Sequence, residues 1–361
     1  TSLLSSQYPS NMGLNDIVSA IRKAKSNDNI KGIYLDSRNL SASMATLAEI
    51  RNELINFKES GKFIVAYADT YTQGGYYLAS VADKISINPQ GMLDLHGLSS
   101  TPIFFKDALD KLGIEMQIFK VGTYKSAVEP FTQNEMSDAN REQVSSYLND
   151  AWSFMRSDLA TSRSLTEAEI DSVADEMPML QLAEYLLTAN LVDTLLYEGE
   201  MKDYLRELLN IDDDKKIPSA TVTNMKSVKT KNVLKTENTI AILYANGDIT
   251  SGTGSSGIQD KYLVNEIEKL RNDDDIKAVV FRINSGGGSA YASEQIWKAI
   301  EDLKAEKPVI VSMGDMAASG GYYIACNANS IVAQPTTITG SIGIFGMIPN
   351  LEGTTEKIGV H

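Results

Sequence analysis

The sequence predicts an α/β fold, a tandem repeat of βαβ domains with a helical insert between the two copies. Three observations carry this expectation. Laying position n against n + 246 gives a register that needs no gap over about 95 positions. Within each copy, short β-branched or aromatic runs alternate with helical periodicity, the signature of βαβ units and a largely parallel sheet. Between the copies, residues 137–209 are rich in strong helix formers.

The register matches Asp28, Ile30 and Lys31 with Asp274, Ile276 and Lys277, and Gly74-Gly75-Tyr76-Tyr77 with Gly320-Gly321-Tyr322-Tyr323. It still holds where Lys111 and Gly113 meet Lys357 and Gly359. In the first copy, strands are expected at 30–36, 63–68, 84–87 and 115–121. In the second they are expected at 239–246, 276–283, 308–313 and 330–333, with helices near 262–271 and 290–304. The first copy has no counterpart of 239–246, as expected if its own N-terminus is missing. Helix starts in the insert are signalled by Ser137-Asp138 and by Ser164-Leu165-Thr166-Glu167. Residues 212–235, with an acidic triplet, Pro218 and scattered lysines, read as a solvated tether. The expected organisation is a first α/β repeat at 1–135, a helical insert at 136–210, a linker at 211–238 and a second α/β repeat at 239–361.

At 361 residues the chain exceeds what one compact core usually holds, which agrees with a duplicated unit. A net charge of −14 argues against nucleic acid as a partner, because phosphate binding needs clustered positive charge. The lone Cys326 cannot form an internal disulfide and reads as a small apolar residue of a helix. No apolar run approaches the roughly 18 residues that span a bilayer, and no signal-peptide pattern opens the chain. The chain begins at Thr1 without an initiator methionine and stops at His361. The expectation is a soluble fragment or processed form.

Two histidines, His96 and His361, leave little room for a Ser-His-Asp centre, and zinc-site spacings of His and Cys are absent. Chemistry without a metal or other cofactor is expected. The segment around Ser319 reads as strand, turn, helix, with Ala317, Ala318, Gly320 and Gly321 leaving room for a peptide backbone to approach. There the helix N-terminus favours negative charge beside the serine. Ser319 could equally be a helix cap. In the repeat register its counterpart is Gln73, so a similar turn folds without serine. After the 276–283 strand comes Asn284-Ser285-Gly286-Gly287-Gly288-Ser289, and its first-copy counterpart, 38–43, holds no glycine. A flexible joint is one use. The preferred one is an oxyanion site built from Gly287 or Gly288 together with the Gly320 N–H. A phosphate loop would need a following Lys-Ser/Thr, which is absent. Serine then needs another base. Lys125 stands among small or apolar residues just after an apolar strand, where burial would depress its pKa, although a lone lysine is more often a surface charge.

Three strings, VGTYKSAVEPF, GDMAASGGYY and TGSIGIFG, together resemble the long, duplicated form of the signal peptide peptidase A family, also called protease IV. The resemblance runs along nearly the whole chain. It implies a sheet of the crotonase and Clp-protease superfamily type and a serine endopeptidase with a Ser/Lys dyad. Carried onto this chain, Ser319 is the nucleophile, Lys125 the general base and Ser341 a support for the lysine. Oxyanion glycines follow Asn-Ser in the second repeat, as 286–288 do here, with Gly286 standing where the family usually has proline. The resemblance further implies apolar signal-peptide substrates, an N-terminal membrane anchor that this chain lacks, the extracytoplasmic face of a bacterial inner membrane, and a homo-oligomeric, tetrameric ring. One active site per chain is expected where the surfaces of the two copies meet. A crotonase-like acyl-CoA hydratase or isomerase and a non-catalytic peptide-binding scaffold are the competing readings.

Overall fold

The computed structural model describes residues 12–36, 40, 42–213, 215–229 and 238–360. Parts of the expected linker and of the 38–43 counterpart loop lie outside the described residues, as do residues 1–11 and His361. The fold class is the expected one, α/β with parallel sheets, and the described residues divide into two units. One holds those through Gly97 together with Ser153 to 229, the other Leu98–Trp152 together with 238–360.

In the first unit the strand Phe63–Tyr71 lies between Gly32–Asp36 and Lys84–Leu93, with Thr194–Leu195 beyond, all parallel. Its run Ile64-Val65-Ala66-Tyr67-Ala68 is buried throughout. Successive apolar residues are what a strand covered on both faces requires. Met201 and Leu205 of the Glu198–Leu209 helix cover Val65 and Tyr67 on one of those faces. The Thr166 signal starts the Glu167–Asp175 helix as a reciprocal capping box with Glu169. The stretch read as a tether is not wholly solvated. Thr221 caps a helical turn, Val222–Lys226, whose Met225 is buried and whose Met225 carbonyl accepts from Lys23 Nζ at 3.0 Å.

In the second unit the sheet order is Ser330–Val332, Val309–Ala318, Ile276–Ser285, Thr239–Asn246, again parallel. Ile338–Gly340 adds to the far end of the Val309–Ala318 strand, opposite Met316, Ala317 and Ala318. The helices Asp260–Asn272 and Ala290–Lys304 bring Leu263, Ile267, Ile296, Ile300 and Leu303 into one core with Val279, Phe281, Ile283, Val309, Val311 and Met313. The strand expected at 115–121 forms as Glu115–Lys120. It pairs antiparallel with Phe345–Asn350 in this unit instead of joining the Phe63–Tyr71 sheet. Its alternation of polar and apolar residues suits a ribbon with a wet face, not a doubly covered parallel strand.

The duplication is visible in the elements. Leu14–Ser26 and Asp260–Asn272 fall at the 246 offset, and so do Met44–Lys58 and Ala290–Lys304. The neighbouring strands slip by one residue. The Ile64 N–H donates to the Asp83 carboxylate at 2.8 Å and the Ile64 carbonyl accepts from the Asp83 N–H, just as the Val309 N–H donates to the Asn329 side-chain amide oxygen at 2.8 Å and the Val309 carbonyl accepts from the Asn329 N–H. Asp83 and Asn329 keep the 246 register, whereas Ile64 and Val309 do not.

Candidate active site

Ser319 stands between the end of the Val309–Ala318 strand and the short helix Gly320–Tyr323. Its backbone is in a sparsely populated region, φ 52° and ψ −117°. For a residue with a Cβ this costs about 1–3 kcal/mol, and it persists only where the surroundings hold it. Two bonds do so: the Ser319 N–H donates to the Gly340 carbonyl at 2.8 Å, and the Ser319 carbonyl accepts from the Tyr323 N–H at 3.0 Å. The side chain makes no capping bond, so the helix-cap alternative lacks the contact that defines it. Instead Oγ lies 3.3 Å from Lys125 Nζ.

Lys125 follows the Glu115–Lys120 strand and precedes the turn Ser126–Val128. It is 4% exposed. Its Nζ also donates to the Ser341 carbonyl at 3.2 Å and lies 5.9 Å from the centre of the Phe345 ring. Burial pushes its pKa below the ordinary lysine value, because the charged form loses water without an acid beside it to compensate. Ser341 thus meets the lysine through its backbone, held at φ 48°, and not through its hydroxyl. Both partners lie in the second unit, although position 125 belongs to the first copy in sequence.

The glycine loop is built to touch the serine. Gly287 has φ 100°, and a Cβ on it would stand 2.6 Å from the Gly320 nitrogen and 2.8 Å from Ser319 Cβ. Gly288 has φ 152°, and its Cβ would strike the Ile249 carbonyl oxygen at 2.1 Å. Only glycine serves at either place. The Gly287 N–H donates to Ser285 Oγ at 3.1 Å. The Gly287 carbonyl accepts from the Ile249 N–H at 2.9 Å, so the trans peptide turns the Gly288 N–H the other way. By the same geometry the Gly320 N–H points opposite to the Ser319 carbonyl. Among the described residues the Gly288 and Gly320 N–H groups have no acceptor. Of the three donors proposed from sequence, two are therefore open and one is engaged.

The sequence reading passed over a set of residues that grips the lysine loop. Glu129 is buried and accepts from Ser137 and Asn140, while Ser126 Oγ accepts from Gln143 Nε2 at 2.6 Å. Its only signal is a glutamate inside an otherwise apolar string. In the first unit, Gln73 uses its amide on a loop. Nε2 donates to the Gly97 carbonyl at 3.1 Å, and Oε1 accepts from the His96 and Gly97 N–H groups at 3.0 and 3.1 Å. His96 is exposed and 3.3 Å from Asp94, a structural setting.

The chain belongs to peptidase family S49, which it matches over residues 56–212 and 301–361, together more than half of its length. Lys125 lies in the first matched segment, Ser319 and Ser341 in the second. Protease 4 of Salmonella typhi is 40% identical over 96% of this chain, and Protease 4 of Haemophilus influenzae 39% identical over 96%. The chloroplastic serine protease SPPA of Arabidopsis thaliana is 33% identical over 99%. The chain spans 57%, 58% and 54% of the lengths of these three relatives. Among the described residues, no helix is long and apolar enough to cross a membrane.

Proposed function

We propose that the chain is a serine endopeptidase in which Ser319 is the nucleophile and Lys125 the general base. The observation that carries this reading is a buried amine 3.3 Å from the hydroxyl of a serine in a strained strand-to-helix turn. Neutral Lys125 takes the Ser319 proton as Oγ attacks the peptide carbonyl. Gly288 and Gly320 donate to the oxyanion that forms, each worth roughly 2.7–4 kcal/mol in the transition state. The Lys125 ammonium then returns its proton to the leaving amine. Neutral again, Lys125 draws a proton from the water that hydrolyses the acyl-enzyme. Ser341 supports the amine through its carbonyl.

The substrate in this reading is an extended apolar peptide, of the kind left when a signal peptide is released from a preprotein. One relative, from Enterococcus faecium, is named a putative signal peptide peptidase SppA and is 34% identical over 34% of this chain. The reading extends to a full-length form anchored in a bacterial inner membrane, facing outward, and assembled as a tetrameric ring.

The test is hydrolysis of an apolar peptide ester together with fluorophosphonate labelling. Ser319→Ala and Lys125→Ala should each abolish turnover with the thermal transition retained, and labelling should map to Ser319. Turnover by a folded variant of either kind would falsify the dyad.

A further inference from the structure

A base works only if it is held, since a misplacement of about 1 Å can cost a factor of a hundred. From 121 to 127 the Lys125 loop has no buried side chain other than Lys125 itself, so its own packing does not fix it. Polar ties to the start of the Asp138–Arg163 helix do. On one side of the lysine, the Tyr124 hydroxyl donates to Glu142 Oε2 at 2.9 Å. On the other, Gln143 Nε2 donates to Ser126 Oγ at 2.6 Å. Glu129 then receives three bonds, from the Ser137 N–H at 3.2 Å, the Ser137 hydroxyl at 2.6 Å and Asn140 Nδ2 at 2.9 Å. Ser137 Oγ also accepts from the Asn140 N–H at 3.1 Å, so one hydroxyl both caps the helix and binds the glutamate.

We propose that Glu129, with Ser137 and Asn140, is a positioning element that straps the Lys125 loop to the helix start and so holds the amine against Ser319 and out of water. The proposal rests on the reading of Lys125 as general base. A carboxylate 1% exposed is tolerated only where such donors replace its lost water. The groups facing the amine, the Ser319 hydroxyl, the Ser341 carbonyl and the Phe345 ring, carry no charge. The ionisable side chains of the strap are Glu129, Tyr124 and Glu142.

The experiment compares Glu129→Ala, Glu129→Gln and Lys125→Met for kcat and KM on an apolar peptide ester across pH, with a thermal transition for each. Glu129→Ala should lower kcat at neutral pH about tenfold or more, with a smaller change in KM. It should also move the ascending limb of the pH profile upward, because a loosened amine regains water. Glu129→Gln should keep most activity and leave the limb in place, since its carbonyl still accepts from Asn140 and its amide can donate to Ser137 Oγ. If Glu129→Ala does not fold, Gln143→Leu, which frees Ser126, should move the limb the same way. An unmoved limb and wild-type kcat in a folded Glu129→Ala, or in Gln143→Leu when that variant stands in, overturns the strap. Turnover by Lys125→Met instead overturns the base assignment itself, so the two failures are distinct.

Discussion

Small and apolar surroundings singled out Ser319 and Lys125 but left each with a plain alternative, a helix cap and a surface charge, and only the resemblance of three motifs to one family paired them. The backbone beside them was not legible. That Gly287 gives its N–H to Ser285 Oγ, and that Ser341 meets the lysine by its carbonyl, depend on peptide orientation, which residue identity does not encode. Gly287 offers a residue-scale test. Gly287→Ala must adopt φ near 100° and drive a Cβ toward the Gly320 nitrogen at 2.6 Å. Gly61→Ala meets the same kind of backbone demand, φ 74°, with nothing within 4 Å. The backbone term, about 1–3 kcal/mol, is common to both. Gly61→Ala should show that loss of stability alone in chemical denaturation. Gly287→Ala should lose more and also lose ester hydrolysis. Equal losses in the two variants would mean that the Gly287 contact with the serine turn has no consequence. A pH prediction belongs to the same pair. In the proposed mechanism the neutral amine is the active form, and burial lowers its pKa, so kcat/KM should rise with pH through a midpoint below that of an exposed lysine. A midpoint at the ordinary lysine value would show that the amine is hydrated in the working enzyme.

At the scale of elements, the parallel strands and the helices flanking them follow from periodicity, and two helix pairs fall at the repeat offset. Two features escaped it. The pairing of Glu115–Lys120 with Phe345–Asn350 joins segments more than two hundred positions apart, and no local pattern names a partner. The one-residue slip between Ile64 and Val309 is invisible to a gap-free register, yet it decides which side chains face which layer. With the slip included, Val65 and Tyr67 correspond to Ile310 and Ser312. The first pair is covered by Met201 and Leu205, whereas across the sheet from the second pair Ile240, Ile242 and Tyr244 are 63%, 55% and 56% exposed. The two faces of the second sheet should therefore respond differently to the same deletion. Ile283→Ala, at a fully buried position, should cost about 2–5 kcal/mol. Ile242→Ala should stay within about 0.5 kcal/mol. The check is the denaturation midpoint of the transition that reports this unit, at constant slope. Comparable costs at both sites would mean that the Ile242 face is covered in solution.

For the whole molecule, the duplication sets one fold twice, and in the proposed mechanism one chemistry once. Gln73 occupies the register position of Ser319, but the local backbone is not the same. In the first unit the residue before the helix is Thr72, relaxed at φ −71°, with its hydroxyl oxygen accepting from the Gly75 N–H at 3.1 Å. Gln73 is already helical, and its amide is committed to the 96–97 loop. A serine installed there gains neither the strained turn nor a buried amine. Gln73→Ser should therefore lose only the loop bonds, about 1 kcal/mol of stability, since water can replace them at a half-exposed site. It should still take one fluorophosphonate per chain by intact mass, at Ser319, and the double variant Gln73→Ser/Ser319→Ala should take none. A second adduct mapping to position 73 would mean that repeat position alone confers reactivity. Its absence would place the difference between the copies in the φ of one serine, the glycine loop beside it and the burial of one lysine, which repeat position does not carry with it.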